Sequence, residues 1–146
     1  MKLLLSQKNI TQENIPEGFD FIQVKDETIL EELSKVPTNG CENLICDSAL
    51  EGVAYENFQQ VFAAIASKVR SEGFMQIIGV DIDSVCEKVV NGEISVEEFN
   101  ALKVNTKTLL NATTVTSLLR NFGLDLLQTS KQHMFYKIVC KYEKTK

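Results

Sequence analysis

The stretch that decides the fold is Asn43–Asp81, NLICDSALEGVAYENFQQVFAAIASKVRSEGFMQIIGVD. It divides into strand, turn, helix, turn and strand. Asn43–Cys46 is a short apolar run stopped by Asp47 and Ser48. Phe58, Val61, Phe62, Ile65 and Val69 fall at i, i+3, i+4, i+7 and i+11, one stripe on a 3.6-residue helix, so the spacing predicts a helix over Tyr55–Val69. Gly73 stands where a left-handed C-cap needs a residue without Cβ. Met75–Val80 is almost wholly apolar and bounded by glycine and aspartate, the pattern of a strand buried on both faces of a parallel sheet. Ile77 and Ile78 are therefore expected on opposite faces, both buried. A strand–helix–strand crossover of this length makes two parallel strands with a helix across one face.

Working outward, Lys2–Leu5 reads as a strand at the N-terminus. Gln7–Gly18 is polar, with Pro16 and Gly18 as breakers, and reads as a connection. Phe19–Val24 (FDFIQV) alternates apolar and polar residues and is a second strand. Asp26 is placed to cap a short helix over Glu27–Lys35, with Ile29, Leu30, Leu33 and Val36 inward and Pro37 and Gly40 as its stop. Beyond Asp81, Ser84 with Glu87 and Ser95 with Glu98 fit two capping boxes, for helices through Val90 and over Val96–Lys103. Thr113–Phe122 carries Val115, Leu118, Leu119 and Phe122 on one stripe and ends at Gly123. Leu124–Gln128 and Met134–Tyr142 are strands joined by a turn at Lys131–His133, close enough for an antiparallel hairpin.

At 146 residues the chain is expected to form one domain with a real core. Its net charge of −5 argues against a nucleic-acid footprint, which would be a basic stripe. The closing KYEKTK reads as a solvated tail. No secretory signal and no membrane-spanning apolar run is visible, so a reducing, cytoplasmic setting is expected, without membrane partners. The cysteines at 41, 46, 86 and 140 form no C-x-x-C pair, and His133 is the single histidine. A structural zinc site is not expected from that spacing. Cys46, Cys86 and Cys140 sit in apolar runs and read as small buried hydrophobes, and all four thiols are expected to be reduced. Asp81 and Asp83 are read as turn and cap residues before Mg²⁺ ligands, and His133 as an exposed hairpin residue.

The element order, with a hairpin closing an otherwise parallel sheet, resembles a compact class I S-adenosylmethionine-dependent methyltransferase. Four segments carry the resemblance. MKLLLSQKN stands where such proteins run a strand into a Gly-x-Gly loop, and IPEGFDFIQV resembles their path into the second strand. NLICDSALEGVAYENFQQVFAAIASKVRSEGFMQIIGVDID resembles the run in which a Leu-Glu-His triplet precedes a helix and a Gly-Gly pair precedes a strand. SLLRNFGLDLLQ resembles the closing helix, glycine and strand. The resemblance implies an α/β, Rossmann-like three-layer sandwich, with a mostly parallel sheet and a C-terminal antiparallel hairpin, over residues 1–146 as a single domain.

The same resemblance locates the cofactor site, and there the residues depart from the pattern. Ser6, Gln7, Lys8 and Asn9 replace glycines that let backbone approach the cofactor closely. The ribose carboxylate has Gln23 or Val24 in its place, with Asp26 two residues late. Leu50-Glu51-Gly52 lacks the imidazole, and Gly73-Phe74 keeps one glycine of a pair. Asp47 and Ser48 stand at the carboxyl end of the third strand, where open α/β sheets place ligands; the alternative is a strand end with a satisfied loop serine. Ser6, Gln7, Asp26, Asp47 and Ser48 are thus the candidate cofactor-binding residues, and none is assigned a catalytic role. The leading expectation is a degenerate methyltransferase-like domain with no bound cofactor, serving as a binding or structural subunit for another protein or for itself. The alternative is an active S-adenosylmethionine-dependent methyltransferase. A flavodoxin-like or receiver-like domain is a weaker third reading, since neither carries the closing hairpin.

Overall fold

The computed structural model describes residues 1–143; Lys144, Thr145 and Lys146 of the expected solvated tail lie outside the described residues. Among the described residues six strands form one sheet, in the order β2-β1-β3-β4-β6-β5. They are β1 (Lys2–Ser6), β2 (Phe19–Gln23), β3 (Cys41–Asp47), β4 (Val69–Val80), β5 (Leu124–Gln132) and β6 (Phe135–Tyr142). The first four run parallel, and β6 and β5 close the sheet antiparallel as a hairpin. Five helices accompany them: α1 (Ile29–Ser34), α2 (Tyr55–Ala66), α3 (Ile82–Val90), α4 (Val96–Val104) and α5 (Ala112–Asn121). The α/β class, the mostly parallel sheet and the closing hairpin are as the sequence leads one to expect.

Several boundaries differ, each for a local reason. The periodic stripe runs on to Val69, but α2 stops at Ala66. Val69 pairs with Cys41 at the start of β4, and the carbonyl of Lys68 accepts from Cys41 N–H at 2.8 Å. A β-branched residue at the helix end is taken by the sheet. Gly73 is consequently no helix cap. It lies inside β4 beside a register shift, after Glu72 at φ 67°, and a Cβ there would stand 2.9 Å from the carbonyl oxygens of Arg70 and Cys41. Helix α3 starts at Ile82, three residues before the expected box would allow, because Asp81 is its N-cap and Ser84 N–H donates to it at 3.1 Å. The box at Ser95 and Glu98 forms as expected. Asp26 does not cap α1, whose N-cap is Thr28 without a side-chain bond. Cys41, Cys46 and Cys140 are buried, but Cys86 is exposed on α3; all four are free thiols.

Register fixes which side chains share a face. Leu3, Leu44, Met75 and Cys140 form one row across the sheet, and Leu5, Cys46, Ile77 and Ile138 form the next. Both rows belong to one core cluster with Ile29 and Leu33 of α1, Phe58, Phe62 and Ile65 of α2, and Val115 and Leu119 of α5. Handedness explains the arrangement. Crossovers from β2 to β3 and from β3 to β4 step the same way along the sheet, so right-handed connections put α1 and α2 on the same face. The step from β1 to β2 goes the other way, so its connection belongs to the opposite face. That connection contains only a single 3-10 turn, Gln12–Asn14. The opposite face therefore carries little cover, and Ile78 on it is half-buried where Ile77 is fully buried.

This corrects the expectation that both isoleucines are buried and predicts unequal substitutions. Ile77→Asp puts an unpaired charge into the core and should unfold the protein, since that costs several kcal/mol against a total of about 5–15 kcal/mol. Ile78→Asp should cost less than about 2 kcal/mol. Urea denaturation of both variants checks the pair.

Candidate functional site

The carboxyl ends of β1, β3 and β4 meet at one edge, where Ser6 is in register with Asp47 and Asp47 with Ile78. Four of the five candidate residues are tied to the protein itself there. Ser6 is fully buried; its Oγ accepts from Lys8 N–H at 3.1 Å and its carbonyl from Val24 N–H at 2.8 Å. The carbonyl of Gln7 accepts from Gln23 Nε2 at 3.3 Å. Asp26 accepts from Ala54 N–H at 3.3 Å and from Asn57 Nδ2 at 3.5 Å, so it steadies the start of α2. Ser48 is buried with its backbone left-handed at φ 56°, and its N–H donates to Ile78 at 2.9 Å. Such a conformation is uncommon for serine and is held by the surrounding structure. Asp47 is half-buried at the strand end.

The residue that sequence reasoning passed over is Glu51, and a signal was there: it is the lone charge in the apolar run Ala49–Ala54. Glu51 is 3% exposed. Its Oε1 accepts from Val80 N–H at 2.8 Å, while Oε2 is buried with no hydrogen-bond partner. Burial pushes the carboxyl up to about 7, against the opposing pull of the Val80 bond. The backbone beside it is equally engaged. Its carbonyl accepts from Lys107 N–H at 2.8 Å, and the carbonyl of Val53 accepts from Thr108 Oγ1. Gly79 leaves the space that this needs, since a Cβ there would collide with Glu51 Oε1 and with the Tyr136 hydroxyl.

Gly52 meets the first loop directly. A Cβ at position 52 would lie 2.8 Å from the Cβ of Gln7 and 3.4 Å from the carbonyl oxygen of Val24. The Gln7 side chain thus packs against the turn after β3 and divides the edge into two clefts. One, of about 180 Å³, has Gln7, Lys8, Ser48 and Glu51 on the sheet side and Leu102, Asn105 and Thr106 from the end of α4 on the other. The second, of about 280 Å³, runs past Gln7, Asp26 and Gly52 to Val104 and Lys107. Gln7, Ser48 and Asp26 are brought to these clefts; Ser6 and Asp47 do not line them. Asp81 is elsewhere engaged. Its burial opposes ionisation, but bonds from Ser84, Ala112 N–H (3.1 Å) and Lys131 (3.2 Å) outweigh that and hold it below its ordinary range. His133 takes φ 60° in the exposed hairpin turn, as read from sequence. Among the described residues no group of three His, Cys, Asp or Glu is placed to hold a metal, and no helix is long and apolar enough to cross a membrane.

No protein-family model and no curated protein matches the sequence. Solved structures do match. An O-methyltransferase family protein from Burkholderia thailandensis superposes with a TM-score of 0.62 at 12% identity, over 88% of this chain and 37% of that one. The fold is methyltransferase-like. A S-adenosylmethionine-dependent methyltransferase from Archaeoglobus fulgidus gives 0.59 at 9% identity over 95% and 75% of the two chains, and human N-acetylserotonin methyltransferase gives 0.57 at 16% over 91% and 36%. The methyltransferase-like chain thus spans only about a third of the first and last of these. A methyltransferase in complex with its activator protein, from Haloferax volcanii, gives 0.56 at 8% identity over 90% and 65%.

The buried carboxyl of Glu51 predicts a definite pH response. Its pKa is raised on folding, so its contribution is intact below about 4.5, falls as pH rises toward 7, and is flat above. The fall should amount to roughly 3 kcal/mol. Glu51→Gln keeps an acceptor for Val80 N–H and removes the titration. The variant should be more stable than the parent by about 1–3 kcal/mol at pH 8 and equal to it near pH 4.5. Denaturation midpoints of the two proteins across pH 4.5–8 check this.

Proposed function

We propose that this is a methyltransferase-like domain that does not hold S-adenosylmethionine productively and acts as a binding or structural subunit of another protein. The observation that carries the reading is the contact of Gln7 with Gly52. The family resemblance assigns this loop to the cofactor, which needs bare backbone there, so the packed Gln7 side chain supports the reading. Gln7 divides the edge into clefts of about 180 and 280 Å³, where a ligand of that size is ordinarily held in one pocket of roughly 300–1,000 Å³. Methyl transfer also requires the sulfonium to be held in line with its nucleophile. Here the nearest acid after β2, Asp26, is engaged with the start of α2, and Lys8 brings positive charge to the smaller cleft. Loss of a charged hydrogen-bond partner costs about 1.5–3 kcal/mol, which alone weakens binding roughly ten- to a hundredfold.

A protein partner is supported by the Haloferax structure, in which a domain of similar fold is complexed with an activator protein. It is supported also by the intact core beside the altered edge, since the fold is kept where the cofactor contacts are not. Isothermal calorimetry of the purified protein with S-adenosylmethionine tests the reading. A dissociation constant of about 1 mM or weaker, with no methyl transfer, is expected. Saturable binding in the low micromolar range contradicts it.

A further inference from the structure

The tip of the β5–β6 hairpin walls a cavity of about 420 Å³, larger than either cleft at the carboxyl edge and within the roughly 300–1,000 Å³ of small-molecule sites. Register explains its lining. Ile78, Lys137 and Ser130 lie side by side on β4, β6 and β5, and Phe135 faces Gln132 two residues nearer the turn. Ile77 and Ile138, one residue away, belong to the core, so alternation puts these five on the opposite face of the sheet. His133 joins them from the turn itself. The apolar part of the wall is open, with Phe135 40% exposed and Ile78 half-buried.

The polar groups of the cavity are unspent. Among the described residues the side chains of Ser130, Gln132, His133 and Lys137 make no hydrogen bond or ion pair. Lys131, the next cation on β5, is by contrast taken by Asp81 at 3.2 Å. His133 holds φ 60° where hairpin turns favour glycine, asparagine or aspartate, so the turn carries a ring that can donate or accept a hydrogen bond. Among the described residues Lys137 is the one Lys, Arg, Asp or Glu in the lining. The sheet face as a whole is balanced, and its acids lie away from the cavity. Asp125 is in register with Lys141 and Glu72 pairs with Lys141 at 2.7 Å, four residues or roughly 14 Å along β6 from Lys137. Asp47 is in register with Ile78 on β3, two strand spacings or roughly 10 Å from Lys137, about one screening length.

We infer that this cavity binds a small aromatic carboxylate, its ring on Phe135 and Ile78, its anion on Lys137 and its other polar atoms toward Ser130, Gln132 and His133. An apolar wall with a few convergent polar groups is the usual make-up of a small-molecule site. Phe135 offers a ring for offset or edge-to-face packing, and an ammonium–carboxylate hydrogen bond is stronger than a neutral one. A cationic ligand is disfavoured, because it would meet Lys137 with no carboxylate in the lining. A phosphate ester is disfavoured, because its second charge would lack a partner and no arginine lines the cavity. The site is distinct from the carboxyl-edge clefts, although Phe135 also borders the smaller of them. The inference goes beyond the subunit reading and does not rest on it.

The test is titration of the isotope-labelled protein with cinnamate, with methyl cinnamate and cinnamylamine as neutral and cationic controls on the same ring, followed by backbone amide NMR. Cinnamate should shift the amides of Ser130, His133 and Lys137 and saturate below about 10 mM. It should bind about tenfold more tightly than either control. Lys137→Met should bring acid and ester to within about twofold of each other. Phe135→Ala should weaken the acid and the ester alike, by about fivefold. Lys137 is exposed, so Lys137→Met keeps the fold, and it alone decides if circular dichroism shows Phe135→Ala to be misfolded. No saturation by that concentration, equal binding of the three probes, preference for the amine, a preference for the acid unchanged in Lys137→Met, or shifts confined to Ser48, Gly52 and Asn105 at the carboxyl edge would each overturn the inference. The separate titration with S-adenosylmethionine reads the carboxyl edge, so either result stands whatever the other shows.

Discussion

The structure depends on how the turn after β3 is clamped to the sheet edge. Glu51 bonds Val80 at the end of β4 with its side chain and Lys107 with its carbonyl, Val53 bonds Thr108, and Gly52 meets Gln7. Four separate parts of the chain are thereby joined within a few residues: the β1 loop, the β3 turn, the end of β4 and the link from α4 to α5. The clamp comes with a buried carboxyl whose second oxygen has no partner. Its desolvation outweighs the bond from Val80, so the carboxyl's pKa is raised and its protonated form is favoured up to about pH 7. In this chain the outcome is an edge narrowed by its own backbone and side chains to two clefts, at the place where open α/β sheets ordinarily leave a crevice.

The second organising constraint is handedness. It sends α1 and α2 to one face and leaves the other to a connection too short to cover it. The clamp packs the carboxyl edge with the chain's own groups, and the short connection leaves the second face thinly covered. The core rows through Leu44 and Ile77 lie on the face that α1, α2 and α5 cover.

Much of the fold was legible because it is local. Strands β1, β2 and β3, the hairpin, the Ser95 capping box and the stripe of α5 follow from periodicity and cap chemistry. The errors were places where pairing overrode period. Val69 continues the helical stripe of α2 in sequence, yet pairs with Cys41. Gly73 matches a helix stop, yet serves a close backbone approach inside β4. Asp81 and not Ser84 caps α3, because the chain turns into the helix directly from the strand. The edge was legible in outline: the departures at Gln7 and Asp26 lie at residues that line the clefts. Glu51 was less so, because its bonds join positions 29 and 56 residues apart, to Val80 and Lys107. Nothing local announces such bonds except one charge in an apolar run.

Amide hydrogen exchange is the direct test of a closed edge. If the clamp is part of the native core, the amides of Val80 and Lys107 exchange only through global unfolding, at the rate of central strand amides such as Ile77. Exchange of Lys107 and Val80 through a low-cost local opening, orders of magnitude faster than Ile77, would contradict the account. It would mean that the edge opens readily enough to admit a cofactor.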